Sequence, residues 1–165
     1  MADLRQMLTV IGCNDVKSLL QSGNLVFTSE SPPGAELEAR LEAEAHKRLG
    51  LDTAFFVRTP RDLDSVIAGN PFPAEARSDP SHLVVMFLKT APKAGAVESL
   101  RAAIKGPELV QAKGKHAYIS YPAGIGESRL TAAVIESKLG TQATGRNWNT
   151  VRKLAAIAAG DPYRQ

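Results

Sequence analysis

Five consecutive residues near the C-terminal end carry the richest chemistry in the chain. They are Arg146-Asn147-Trp148-Asn149-Thr150. Asn147 suits the N-cap of a helix, and Trp148 can staple that helix to a core. Arg146 and Asn149 are not needed for that structural job. A guanidinium beside a helix N-terminus favours phosphate or carboxylate, because free N–H groups and the helix dipole attract anions. Arg146, Asn147 and Asn149 are therefore the leading anion-binding candidates. Gln21, Ser22 and Asn24 surround Gly23 in a second polar cluster. Turn chemistry accounts for Ser22, Gly23 and Asn24, and least for Gln21. These side chains are expected to line a cleft shared with the first cluster. Gly124, Gly126, Ser128 and Arg129 precede another helix. The Gly-Lys-Ser/Thr of a phosphate loop is missing, so Arg129 is only a secondary anion candidate.

Other chemistries find less support. His46, His82 and His116 fall on separate elements, with no zinc-ligand spacing, so neither a metal nor a cofactor is expected. Cys13 follows a helix-ending glycine and has no partner motif. No Gly-x-Ser-x-Gly elbow occurs. Asp62 and Asp64 belong to one helix start and do not form an acid–base pair. Phe27 and Tyr118 could present rings on a sheet, but the RNA-recognition pattern is absent. Catalytic residues are left unassigned.

The elements that must position these residues follow from periodicity. Leu4, Met7, Leu8 and Ile11 mark a helix stopped by Gly12. Residues 16–20 and 25–28 read as strands joined by the Gln21–Asn24 turn. Leu37, Leu41, Ala45 and Leu49 form the apolar stripe of a second helix, and Gly50 is its expected cap. Residues 53–58 read as a strand. Thr59-Pro60-Arg61-Asp62 has the form of a capped helix start, with Leu63, Val66 and Ile67 on the inner face. Asn70-Pro71-Phe72-Pro73 ends that helix.

Residues 82–88 form the strongest strand, apolar on both faces from Leu83 onward. A helix through Val97, Leu100 and Ile104 closes at Gly106. Strands 109–112 and 115–121 bracket Lys113-Gly114. A helix carries Leu130, Ala133, Val134 and Leu139, and residues 141–144 read as a short strand. Trp148, Val151, Leu154, Ala155 and Ala158 line the last helix, before a frayed tail at 161–165.

From residue 82 the order is β-α-β-β-α-β plus a helix, the ferredoxin-like unit. From residue 1 the order is α-β-β-α-β, the same unit without its opening strand. The expected fold is thus α+β, with two ferredoxin-like halves and antiparallel sheets. The expected divisions are 1–59, a connecting 60–81, 82–160 and the tail 161–165. In such a sheet the first strand lies between the third and fourth. Its absence opens the middle of the first sheet and leaves backbone groups without strand partners.

Composition bounds the rest. A chain of 165 residues with 44% hydrophobic and 22% charged residues is neither disordered nor fibrous. A single cysteine excludes an internal disulfide and suits a reducing cytoplasm. No signal peptide or membrane span is expected. The net charge of +3 divides into −2 over residues 1–110 and +5 over 111–165. That basic third could attract nucleic acid, although its charges are spread and not clustered.

Several segments together resemble one known family. They are Met1-Ala2-Asp3-Leu4, Gln21-Ser22-Gly23-Asn24-Leu25-Val26-Phe27, Asn70-Pro71-Phe72, Ser128-Arg129-Leu130-Thr131 and Arg146-Asn147-Trp148-Asn149-Thr150. In order and spacing they are similar to the bacterial family of unknown function 1697, to about Ala159. The resemblance implies ferredoxin-like halves and no established activity. It also implies a strand and an Arg-Gly-(Ile/Leu)-Asn-Val-Gly-Gly turn ahead of the Met-Ala-x-Leu helix. Here Met1 stands where that internal methionine falls, which reads as a start at an internal Met. The leading expectation is a cytoplasmic module for a small anionic ligand. The alternatives are an enzyme needing the glycine-rich turn, a nucleic-acid binder, and an interaction domain that associates through the open sheet edge.

Overall fold

The structure is a computed structural model and describes residues 2–19 and 23–160. It is α+β, with two antiparallel sheets. Two compact units divide the chain. One runs to Asp64 and resumes at Lys153, and the other is Ser65–Arg152. The chain passes between them within the helices α3 (Pro60–Ala68) and α7 (Trp148–Ala158). The expected tail at 161–165, and Leu20, Gln21 and Ser22, lie outside the described residues.

Unit 2 is the complete ferredoxin-like arrangement. Its strands are β3 (Leu83–Leu88), β4 (Leu109–Lys113), β5 (His116–Ser120) and β6 (Ala143–Asn147), in the order β4-β5-β3-β6. All six residues of β3 are buried, as its unbroken apolar run requires. Both of its edges are paired, Val85 opposing Tyr118 on one side and Arg146 on the other. The helices α5 (Ala96–Ala103) and α6 (Ala132–Leu139) bury Leu100, Ile135 and Leu139 against Val84, Met86 and Leu88. Tyr118 donates to the Val66 carbonyl at 2.7 Å. Gly145 faces β3 where a Cβ would come 2.8 Å from Met86 Sδ and 3.1 Å from Val84 Cγ1. A side chain at this position would have to displace Met86.

Three boundaries in unit 2 differ from expectation. Pro73 opens a short helix, α4 (Pro73–Ser78), because proline is preorganised for the first helical position. Leu130 precedes α6. That helix starts after Thr131, whose hydroxyl accepts from Val134 N at 3.3 Å. The final strand runs on through Arg146 and Asn147, since pairing with β3 carries the ladder beyond Thr144.

Unit 1 contains α1 (Ala2–Val10), the hairpin β1 (Asn14–Leu19) and β2 (Asn24–Thr28), and α2 (Ala35–Leu49). Met7, Leu8, Leu37, Leu41 and Ala45 are its buried centre, with Leu25, Phe27, Phe55 and Val57 packed around them. Gly50 ends α2 in the left-handed region at φ 62°, as its position predicts. The hairpin carries a bulge between Asn14 and Lys17, where Asp15 has φ 51°.

Residues 53–58 are not a strand among the described residues, which corrects the expectation. Side chains of α2 take up backbone donors there. Val57 N donates to Glu38 Oε2 at 2.7 Å, and Phe55 N to Glu42 Oε1 at 3.0 Å. The described sheet of unit 1 therefore has two strands, β1 and β2. Beyond this segment the expected capping box forms. Thr59 N donates to Asp62 Oδ2 at 2.8 Å, and Asp62 N to Thr59 Oγ1 at 3.0 Å.

Candidate functional site

The β6–α7 junction gathers Arg146, Asn147, Trp148 and Asn149. Asn147 ends the strand and caps the helix, its Oδ1 accepting from Thr150 N at 3.0 Å. Trp148 is 5% exposed and anchors the first helical turn. Asn149 is exposed. The Arg146 side chain is half-buried. Its Nη1 donates to Thr144 Oγ1 and to the Gly145 carbonyl, both at 2.8 Å. Burial pushes the Arg146 guanidinium below its ordinary pKa. These bonds tie the guanidinium to its own strand.

Arg129 and Asn24 belong to other parts of the chain. Arg129 is exposed in the loop before α6. Its neighbour Ser128 donates to Glu108 Oε1 at 2.5 Å and accepts from Leu130 N at 3.1 Å, which is loop-closing work. Asn24 belongs to unit 1, is 5% exposed, and donates through Nδ2 to the Leu19 carbonyl at 3.1 Å. Gln21 and Ser22 lie outside the described residues.

The other chemistry-bearing groups are occupied structurally. His46 Nδ1 pairs with Asp52 at 2.5 Å, and His82 Nδ1 with Asp79 at 2.9 Å. His116 packs edge-on against Phe87. Cys13 is buried, and desolvation raises its thiol pKa, which opposes nucleophilic use. Among the described residues, no group of three or more His, Cys, Asp or Glu could hold a metal ion. No described helix is long and apolar enough to cross a membrane.

Sequence reasoning missed Glu38 and Glu42. They sit one turn apart on α2 and reach amides two residues apart, so each spacing matches its own element. Glu38 is 6% exposed and lies 3.9 Å from Arg58 Nη1. Glutamates spaced i, i+4 beside an apolar stripe were the available signal, but a helical glutamate ordinarily reads as wetted surface.

The strand order of unit 2 and the matching helix–hairpin–helix order of unit 1 define a protein of paired ferredoxin-like units. A family model described as "Protein of unknown function (DUF1697)" matches residues 1–118, and the chain belongs to that family. A solved structure, the conserved bacterial protein SP0830 from Streptococcus pneumoniae, is similar at a TM-score of 0.72 and 21% identity. The alignment covers 96% of this chain and 88% of that one. That likeness supports the fold. No curated protein matches the chain.

Proposed function

We propose that the chain is a cytoplasmic binding module whose unit 1 takes up an extended apolar segment as a further strand beside β2. One observation carries this reading. Unit 2 fills the middle of its sheet with β3, whereas unit 1 shares only the helix–hairpin–helix part of that order and has, among the described residues, a sheet of two strands. The chemistry of the occupant follows from β3, six apolar residues buried on both faces and paired on both edges. Strand addition of this kind draws affinity from main-chain hydrogen bonds and specificity from alternate side chains.

The test uses a lysine-flanked peptide with the sequence of residues 83–88, titrated into the chain and followed by amide NMR. Saturable binding with new exchange protection along β2 is expected. Absence of binding, or β2 amides already protected on both edges in the free chain, overturns the reading.

A second reading is the binding of a small anion at the β6–α7 junction by Arg146 and Asn149. It is favoured by the half-buried Arg146 guanidinium lying next to the start of α7. Titration with inorganic phosphate, followed by the Trp148 and Asn149 amide shifts, tests it. Shifts abolished by Arg146→Ala support it, and shifts that survive Arg146→Ala refute it.

A further inference from the structure

The sheet of unit 2 ends at β4, and one arginine closes that end. The strand order places β4 outermost, paired only with β5. Lys113 opposes His116 across a two-residue turn, so the paired positions 109, 111 and 113 direct their backbone groups toward β5. Val110 and Ala112 then direct theirs outward. Arg101, in the last turn of α5, reaches around to that outer side. Its Nε donates to the Val110 carbonyl at 3.0 Å and its Nη2 to Gln111 Oε1 at 3.1 Å. Glu98 Oε1 lies 3.9 Å from Nη1, on the same helix. The guanidinium thus spans from helix to strand and occupies an outward acceptor of the edge. Beside it runs a shallow groove of about 360 Å³ lined by Phe72, Ile104, Leu109 and Val110. Leu109 is 51% exposed there.

An unblocked strand edge is a template for another strand. Here the edge combines outward backbone groups with an exposed leucine. We propose that Arg101 is a strap that closes the β4 edge, and that its release lets β4 pair antiparallel with β4 of a second copy. The register follows from the outward groups. Gln111 sits on the two-fold axis, and Val110 of one copy exchanges two N–H···O bonds with Ala112 of the second copy. The pairing covers Leu109 in both. This association is separate from strand uptake by unit 1, because it uses a different sheet.

Sedimentation velocity of the full chain tests the strap. Arg101→Ala is expected to raise the self-association constant at least about tenfold over the parent. Adding Ala112→Pro to Arg101→Ala is expected to restore the parent behaviour, since proline removes an outward N–H while leaving the β4–β5 bonds in place. If circular dichroism shows Arg101→Ala unfolded, Arg101→Lys replaces it. Lysine keeps the charge and helix propensity but donates from a single point, so it cannot hold both acceptors. A folded strap variant that sediments like the parent overturns the proposal. Association that persists with Ala112→Pro overturns it equally.

Discussion

Residues 53–58 and β6 occupy the same place in the element order of their units, yet only one of them is a strand. The first reads Thr-Ala-Phe-Phe-Val-Arg, which is rich in strand-forming side chains. The second reads Ala-Thr-Gly-Arg-Asn, which is poor in them. The better strand former lacks strand pairing among the described residues, and the poorer one is fully registered against β3. The deciding factor is the neighbour. Beside β6 lies a central strand whose second edge pairs with it. In unit 1, carboxylates of α2 take up the Phe55 and Val57 amides instead. Strand formation here depends on the sheet context and not on local propensity. The amides of Phe55 and Val57 and the β6 ladder thus find acceptors of different kinds in the two units.

Four perturbations test this contrast. The largest effect is expected in the completed unit. Trp148→Ala removes a buried indole and should destabilise by about 3 to 5 kcal/mol in denaturant unfolding. A loss below about 1 kcal/mol would mean that Trp148 contributes little to the packing of unit 2.

The next is a pH effect. Both tyrosines among the described residues, Tyr118 and Tyr121, lie in unit 2. Burial, with the Glu108 charge second, pushes the Tyr121 phenol up to about 12, while its hydroxyl donates to the Leu130 carbonyl at 2.9 Å. A phenol whose folded pKa is raised stabilises fully below the unfolded value near 10. That stability is lost as pH rises toward 12, by on the order of 2 kcal/mol. Denaturant midpoints between pH 8 and 12 should fall for the parent and fall less for Tyr121→Phe. Equal slopes would remove Tyr121 from the account.

On the side of unit 1, Glu38→Gln weakens the acceptor for Val57 N and the charge facing Arg58. We expect a loss of about 1 to 2 kcal/mol. Hydrogen exchange should report it as faster Val57 exchange, with β3 amides unchanged. Faster exchange in β3 as well would show that the two units do not respond separately. The smallest expected effect is Gly145→Ala. Its new Cβ meets the flexible Met86 side chain, so about 1 kcal/mol should suffice to accommodate it. A neutral result would show that the β3–β6 approach has slack.

Much of the fold was legible in the residues, because the strongest signals are local. The apolar run 83–88, the Thr59–Asp62 box and the cap at Gly50 all formed as their chemistry implies. The misses share a cause. Whether 53–58 pairs, and how far β6 extends, depends on residues distant in sequence. No window around Arg146 reveals that Val85 stands opposite it. The site followed the same rule. The capping role of Asn147 could be read from its place ahead of a helix. The roles of Glu38, Glu42 and Arg101 could not, because each reaches a backbone group on another element.

The two units also differ in how the chain supplies them. Unit 2 is one uninterrupted stretch, Ser65–Arg152, while unit 1 draws on both ends of the chain. A ribosome delivers residues in order, and units fold as their residues emerge. Unit 2 therefore has every residue it needs once Arg152 has cleared the exit tunnel. Unit 1, although most of it is made first, still awaits Ala155 and Ala156, both buried. During synthesis the earlier-made half is the later one to close.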